Sequence, residues 1–188
     1  MVRKMLLSWI VTLILLHTTL THGKDINVNN GGKWGVWGKL EMCPYNTVAS
    51  GFELKVEPPQ GDGDDTALNV IKLLCTKPGD RTIQAEITSA EGRWGRWTGI
   101  QWCPSGFLVR FALQVERPQG DGDDTAANNI MFQCSDNNIL TGYGGKWGTF
   151  GNWSDMCQSG ICGIRTLVEP DQGRGDDTAL NDVVFRCC

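Results

Sequence analysis

The sequence predicts an all-β fold built from three copies of one small unit. The first observation is a tryptophan–glycine phrase written three times in 188 residues: Gly32-Lys33-Trp34-Gly35, Gly92-Arg93-Trp94-Gly95 and Gly145-Lys146-Trp147-Gly148. The second is an acidic phrase, Asp64-Asp65-Thr66-Ala67, Asp123-Asp124-Thr125-Ala126 and Asp176-Asp177-Thr178-Ala179, whose first Asp follows the tryptophan by 30, 29 and 29 residues. The third is a strand-like run closing on Glu57, Glu116 and Glu169, each seven residues before that Asp. A period of 53 to 60 residues marks one supersecondary unit, too small to bury a core alone.

Residues 1–23 read as a secretory leader. Arg3 and Lys4 give a charged start, Met5 to Leu16 an apolar run, and Thr21-His22-Gly23 small residues suited to cleavage after Gly23. The run is shorter than the roughly 20 apolar residues of a membrane span. The expected mature chain is therefore secreted, about 165 residues long.

The strands follow from period-two alternation. Phe52-Glu53-Leu54-Lys55-Val56 and Phe111-Ala112-Leu113-Gln114-Val115 place apolar residues at every second position. Val70 to Leu74, Ile130 to Phe132 and Val183 to Phe185 are short apolar runs leading to a cysteine. Ile26-Asn27-Val28, Ile83 to Ile87 and Asn138-Ile139-Leu140 precede the tryptophan phrases. Gly, Pro and Asp punctuate the gaps, and Thr66 to Asn69 is expected to be a turn before the next strand. That gives about four strands per unit, with units near 24–76, 77–135 and 136–188. Three equal antiparallel sheets that bury their apolar faces together suggest a three-sided prism, and closure limits exposed edges. A propeller is the rival, but three blades fall below the usual range.

All eight cysteines lie beyond residue 24, as suits an oxidising compartment. Cys43, Cys103 and Cys157 follow the tryptophan by nine or ten residues, and Cys75, Cys134 and Cys187 follow the second Asp by ten. One bridge per unit is the simplest pairing: Cys43–Cys75, Cys103–Cys134 and Cys157–Cys187. Cys162–Cys188 would make a fourth, although the last two bonds could cross because Cys187 and Cys188 are adjacent. No CxxC occurs and both histidines precede residue 24, which argues against zinc; no metal and no cofactor is expected.

Trp-Gly-x-Trp, Cys-Pro, Val-Glu-x-Pro-Gln-Gly and Gly-Asp-Asp-Thr-Ala-x-Asn, in that order, resemble the vitelline membrane outer layer protein 1 family. So do Gly160-Ile161-Cys162-Gly163-Ile164 and the closing Phe185-Arg186-Cys187-Cys188. The resemblance covers the whole expected mature chain. It implies a secreted β-prism of three Greek-key, four-stranded antiparallel sheets with internal pseudo-threefold symmetry. It also implies a component of the egg's outer coat or of another secreted fluid, with extracellular glycans or coat proteins as partners.

Glu57 with Asp64 and Asp65, Glu116 with Asp123 and Asp124, and Glu169 with Asp176 and Asp177 are candidate glycan-binding or turn carboxylates. Paired carboxylates are also what a glycosidase uses, and the resemblance raises an interest in N-acetylglucosamine oligomers. A lysozyme-like or glycosyl-transfer enzyme is therefore the alternative reading. Threefold repetition favours the turn role, because a catalytic pair ordinarily occurs once, whereas Asp and Thr bond turn amides wherever a turn recurs. No single residue is assigned a catalytic role. Asp62-Gly63-Asp64-Asp65-Thr66 lacks the ligand spacing of a calcium loop, and Arg174-Gly175-Asp176 owes its Asp to the repeated turn.

Trp34, Trp94 and Trp147 are expected in the core or packed on a sheet; Trp37 and Trp97 match Phe150; Trp102 and Trp153 are expected at the surface. Asn152-Trp153-Ser154 is a glycosylation sequon. Loss of Arg3 and Lys4 takes the formal net charge from −4 to −6, and no basic run occurs, which disfavours nucleic acid. Without histidine the mature chain lacks the commonest general base. The reading is a secreted structural or barrier protein that takes glycan partners.

Overall fold

The computed structural model describes residues 23–58, 67–116, 127–170 and 179–188. Residues 1–22 of the expected leader and the aspartates of the three acidic phrases lie outside the described residues. Within them every regular element is a β-strand.

Three long antiparallel hairpins form the centres of three sheets. They are Val48–Val56 with Leu68–Thr76, Leu108–Val115 with Ala127–Cys134, and Ile161–Val168 with Leu180–Cys187. Each is completed by strands from a different unit. Ile83–Ile87, Arg96–Trp97 and Gln101–Trp102 flank the first hairpin. Ile139–Thr141 and Thr149–Phe150 flank the second. Asp25–Ile26, Val36–Trp37 and Glu41–Met42, from near the chain start, flank the third. The order across each sheet is third strand, second, first, fourth, which is a Greek key. The expectation that the four strands of a unit share one sheet is thus corrected. A unit gives its hairpin to one sheet and its short flanking strands to the preceding one, and the first unit closes the ring on the third.

Alternation explains the core. Phe52, Phe111, Phe132 and Phe185 are fully buried, each on the inner face of its strand. Their ring centroids lie 4.8 Å apart for Phe52–Phe132 and Phe111–Phe185, and 5.3 Å apart for Phe132–Phe185. All three hairpins therefore meet at one aromatic cluster, with tilted and edge-on rings in the favourable arrangement. Around it Leu54, Leu73, Ile130 and Ile164 are at most 1% exposed.

Three disulfides close: Cys43–Cys75, Cys103–Cys134 and Cys157–Cys187. Each stitches two sheets. Cys43 donates its amide to Cys162 of the third sheet while its sulfur binds Cys75 of the first, and Cys103 and Cys157 are tied to Ser50 and Val109 in the same manner. The remaining pair expected to bridge, Cys162 and Cys188, is brought into side-chain contact. They follow the pattern of Ser50 and Thr76, which occupy the same place in the first sheet and share a buried 2.7 Å hydrogen bond. In the second sheet the same place is taken by Val109 and Ser135.

A peptide of residues 24–76 holds a hairpin without either flank, so it should show no cooperative melt by circular dichroism, whereas the full chain should melt in one transition. In the full chain, Phe132→Ala should cost about 3–5 kcal/mol in urea unfolding, since the ring touches aromatic partners from all three hairpins.

Candidate functional site

The repeated phrases meet, but across units. Gly92 donates its amide to the Asn69 carbonyl at 2.9 Å, Gly145 to Asn128 at 2.7 Å, and Gly32 to Asn181 at 2.7 Å. These asparagines, the last residue of each Asp-Asp-Thr-Ala-x-Asn phrase, are fully buried. A Cβ on Gly92, Gly145 or Gly32 would come within 2.2–2.4 Å of the asparagine Oδ1. The second glycine of each phrase is as constrained. Gly95, Gly148 and Gly35 have φ of +95°, +76° and +107° and abut the backbone between Val56 and Glu57, Val115 and Glu116, and Val168 and Glu169. Glycine is needed there for both the left-handed backbone and the close approach.

Clamping both glycines turns the intervening tryptophan outward. Trp34, Trp94 and Trp147, expected in the core or packed on a sheet, are 65%, 44% and 60% exposed and so lie outside the core. Apolar character suggested burial, but the sites facing the hairpin are taken by the glycines. Trp102 and Trp153, expected at the surface, are instead half-buried. Each lies beneath an arginine, with Arg81 5.9 Å from the ring of Trp102 and Arg110 5.0 Å from that of Trp153. Trp37 is half-buried under Arg165 and Trp97 sits under Lys72, so the sheet exteriors carry cation–π contacts.

The result is three equivalent corners, each with an exposed tryptophan beside a half-buried glutamate at a strand end: Trp94 with Glu57, Trp147 with Glu116, and Trp34 with Glu169. Sequence order would have placed Glu57 with Trp34. The Glu57 and Glu169 amides donate to Ala67 and Ala179 at 2.8 Å, closing the acidic loops at their base. Ala67 and Ala179 hold φ of +48° and +47°, a left-handed conformation that costs a non-glycine residue about 1–2 kcal/mol. The corners differ in Arg93, which lies 4.8 Å over the Trp94 ring where the others have Lys33 and Lys146, and in one strand residue. Lys55 donates to the Arg93 carbonyl at 2.8 Å and Gln114 to the Trp147 carbonyl at 2.7 Å, while the third corner has Leu167 at the matching register. Asn152 is exposed.

One carboxylate escaped sequence reasoning. Asp182 matches Val70 and Asn129 in register and lies under Gly31, with a single hydrogen bond among the described residues, from the Val183 amide at 2.8 Å. Burial pushes its pKa up to about 6, and that one hydrogen bond only partly opposes the shift. The signal was an Asp inside an apolar run, where the other copies have Val or Asn.

Three curled antiparallel sheets around one core define a β-prism, the architecture of certain plant lectins. The Calystegia lectin Calsepa, solved in complex with bisected glycan, superposes with a TM-score of 0.54 at 15% identity, covering 87% of this chain and 96% of the lectin. A mannose-binding lectin from Champedak gives 0.52 at 12% identity, covering 90% and 99%. At those identities the likeness is one of fold. Kinship is shown by sequence: the chain belongs to the vitelline membrane outer layer protein I family, whose model matches residues 24–188. A vitelline membrane outer layer protein 1 homolog from Homo sapiens is 52% identical over 165 residues, spanning 87% of this chain and 82% of the relative. The homolog of that name from Mus musculus is 46% identical over 177 residues, spanning 93% and 88%. No helix among the described residues is long and apolar enough to cross a membrane.

Because Asp182 has a folded pKa above its unfolded value near 3.8, its contribution is fully present below pH 4 and is lost as pH rises through 6. Asp182→Asn, which copies Asn129, should raise stability at pH 7.5 by about 2–3 kcal/mol and change little at pH 3. Paired urea titrations at the two pH values would test this, and an equal effect at both would refute it.

Proposed function

We propose that this protein is a secreted component of an extracellular coat or fluid that holds glycan chains at its three tryptophan–glutamate corners. The observation carrying the reading is the exposure of Trp34, Trp94 and Trp147 beside a glutamate in each of three equivalent places. The fold needs the flanking glycines, but it does not need a large indole in solvent. Aromatic faces stack on the apolar side of sugar rings, and carboxylates accept hydrogen bonds from sugar hydroxyls. Family membership and the disulfide framework support an extracellular setting. The resemblance points to N-acetylglucosamine oligomers as the first ligands to examine.

Three like sites also suit a matrix role. One protein could engage several chains, or several points on one chain, and gain avidity without any single tight site. Catalysis has less support, since the same tryptophan–glutamate arrangement recurs at three corners.

A glycan array and a chito-oligosaccharide turnover assay on the same preparation test the reading. Binding without turnover is expected. Trp34→Ala, Trp94→Ala and Trp147→Ala should each weaken the affected site about tenfold, the loss of one aromatic stack, with the melting temperature nearly unchanged. Unaltered binding in the triple variant would overturn the reading. Turnover abolished by one Glu→Gln change alone would replace it with an enzyme.

A further inference from the structure

Pseudo-threefold repetition separates the residues the fold requires from those it does not, because a group present at one corner only is not needed to make a corner. One corner departs from the other two. Where the segment Asn29–Asn30 meets the edge of the second sheet there is a cleft of ≈ 490 Å³, lined by Asn29, Asn30, Thr149, Phe150, Gly151 and Asn152 among others. Its volume lies within the range of small-ligand sites, about 300–1,000 Å³. The residues two places before Gly32, Gly92 and Gly145 are Asn30, Ala90 and Tyr143, so the amide belongs to this corner alone. The residues two places after Trp37, Trp97 and Phe150 are Lys39, Gly99 and Asn152, so the sequon belongs to it alone as well.

Asn30 is held in a defined position. Its Nδ2 donates to the Leu113 carbonyl at 2.9 Å, and its amide lies so close to Gly151 that a Cβ there would meet it at 2.5–2.6 Å. With Nδ2 committed, Oδ1 is fixed as an acceptor. It is buried and has no hydrogen-bond partner among the described residues. Buried acceptors are ordinarily satisfied, so this oxygen calls for a donor from outside the chain. Beside it stand the half-buried Phe150 ring and the exposed Asn29, Thr149 and Asn152. Amide groups beside an aromatic ring suit a sugar that carries an acetamido group, whose N–H donates and whose methyl packs on an apolar face.

We propose that this cleft seats an N-acetylglucosamine residue, carried on the chain as the first sugar of an N-linked glycan at Asn152. Attachment requires a lipid-diphosphate-linked oligosaccharide donor. Asn152 Nδ2 forms the bond to the sugar's C1 as the C1–O bond to diphosphate breaks, the lipid diphosphate leaves, and the amide gives up one proton to base. The first sugar is then tethered at the mouth of the cleft, where its acetamido N–H satisfies Asn30 Oδ1. The seat is independent of the tryptophan corners, and neither proposal depends on the other.

The test uses full-length chain secreted from mammalian cells. Enzymatic release of N-glycans should lower its intact mass, and Asn152→Gln should abolish that shift. Nuclear Overhauser contacts should join the acetamido methyl of the first sugar to the Phe150 ring and should disappear in Asn30→Ala. Phe150→Leu serves as a second variant, and melting curves confirm that both fold. To separate a tethered sugar from a free one, unglycosylated Asn152→Gln protein is titrated with N,N′-diacetylchitobiose. Shifts at Asn30 and Phe150, weakened about tenfold by Asn30→Ala as one hydrogen bond is lost, would assign the cleft to free chains if the attached glycan makes no contact. No contact from the attached glycan and no response to the free disaccharide would overturn the proposal.

Discussion

Every sheet of this protein is finished by residues from another unit, and the joint is glycine against buried asparagine. Asn69, Asn128 and Asn181 accept the amides of Gly92, Gly145 and Gly32 through their main-chain carbonyls, while their side chains occupy the space a Cβ would need. The second glycine then lies on the backbone beside Val56, Val115 or Val168. Together these contacts fix where the short flanking strands run and so cover the edges of the long hairpins, which would otherwise present open ladders. No unit can satisfy its own hairpin, so cooperativity among the three follows from the connectivity. The disulfides act in the same sense, each joining one sheet to the next.

The same joint decides which residues are free for function. Once glycine takes the positions facing the hairpin, the residue between cannot turn inward, and tryptophan there is presented to solvent. A bulky apolar side chain is retained in all three copies at a place where packing gains little from it. The left-handed Ala67 and Ala179 at the base of the acidic loops point the same way. Glycine would fit that backbone better, and a chain selected for stability alone would tend to use it.

Much of this was legible in the sequence, and the failures have physical causes. Alternation located the hairpin strands, and Ile83–Ile87 falls where its apolar pattern placed it. Which hairpin a flanking strand joins was not legible. A cyclic repeat looks identical whether each unit folds on itself or hands its strands to a neighbour, and only the geometry of the 77–82 and 135–138 connections decides. The tryptophans were misplaced because hydrophobicity was weighed without the glycines on either side. Asp182 was overlooked because it follows the buried Asn181, and alternation does not show which residues of a doubly covered strand are enclosed. The asparagine of the acidic phrase was part of the recognised motif, but its role as a docking post needed the partner's coordinates.

Symmetry also bears on chemistry. An active site needs inequivalent groups, one carboxyl kept protonated and another ionised, and it achieves this with inequivalent surroundings. The three glutamates are placed alike, each half-buried at the end of a strand and each against a left-handed glycine. Threefold repetition of one placement suits repeated binding better than a division of labour between acid and base. Differences do exist in Lys55, Gln114 and Leu167, but these alter how the tryptophan loop is held. The inequivalence a site would need is found instead at the corner of Asn30 and Asn152. There the groups are amides, which can hydrogen-bond a sugar but lack the means to cleave it.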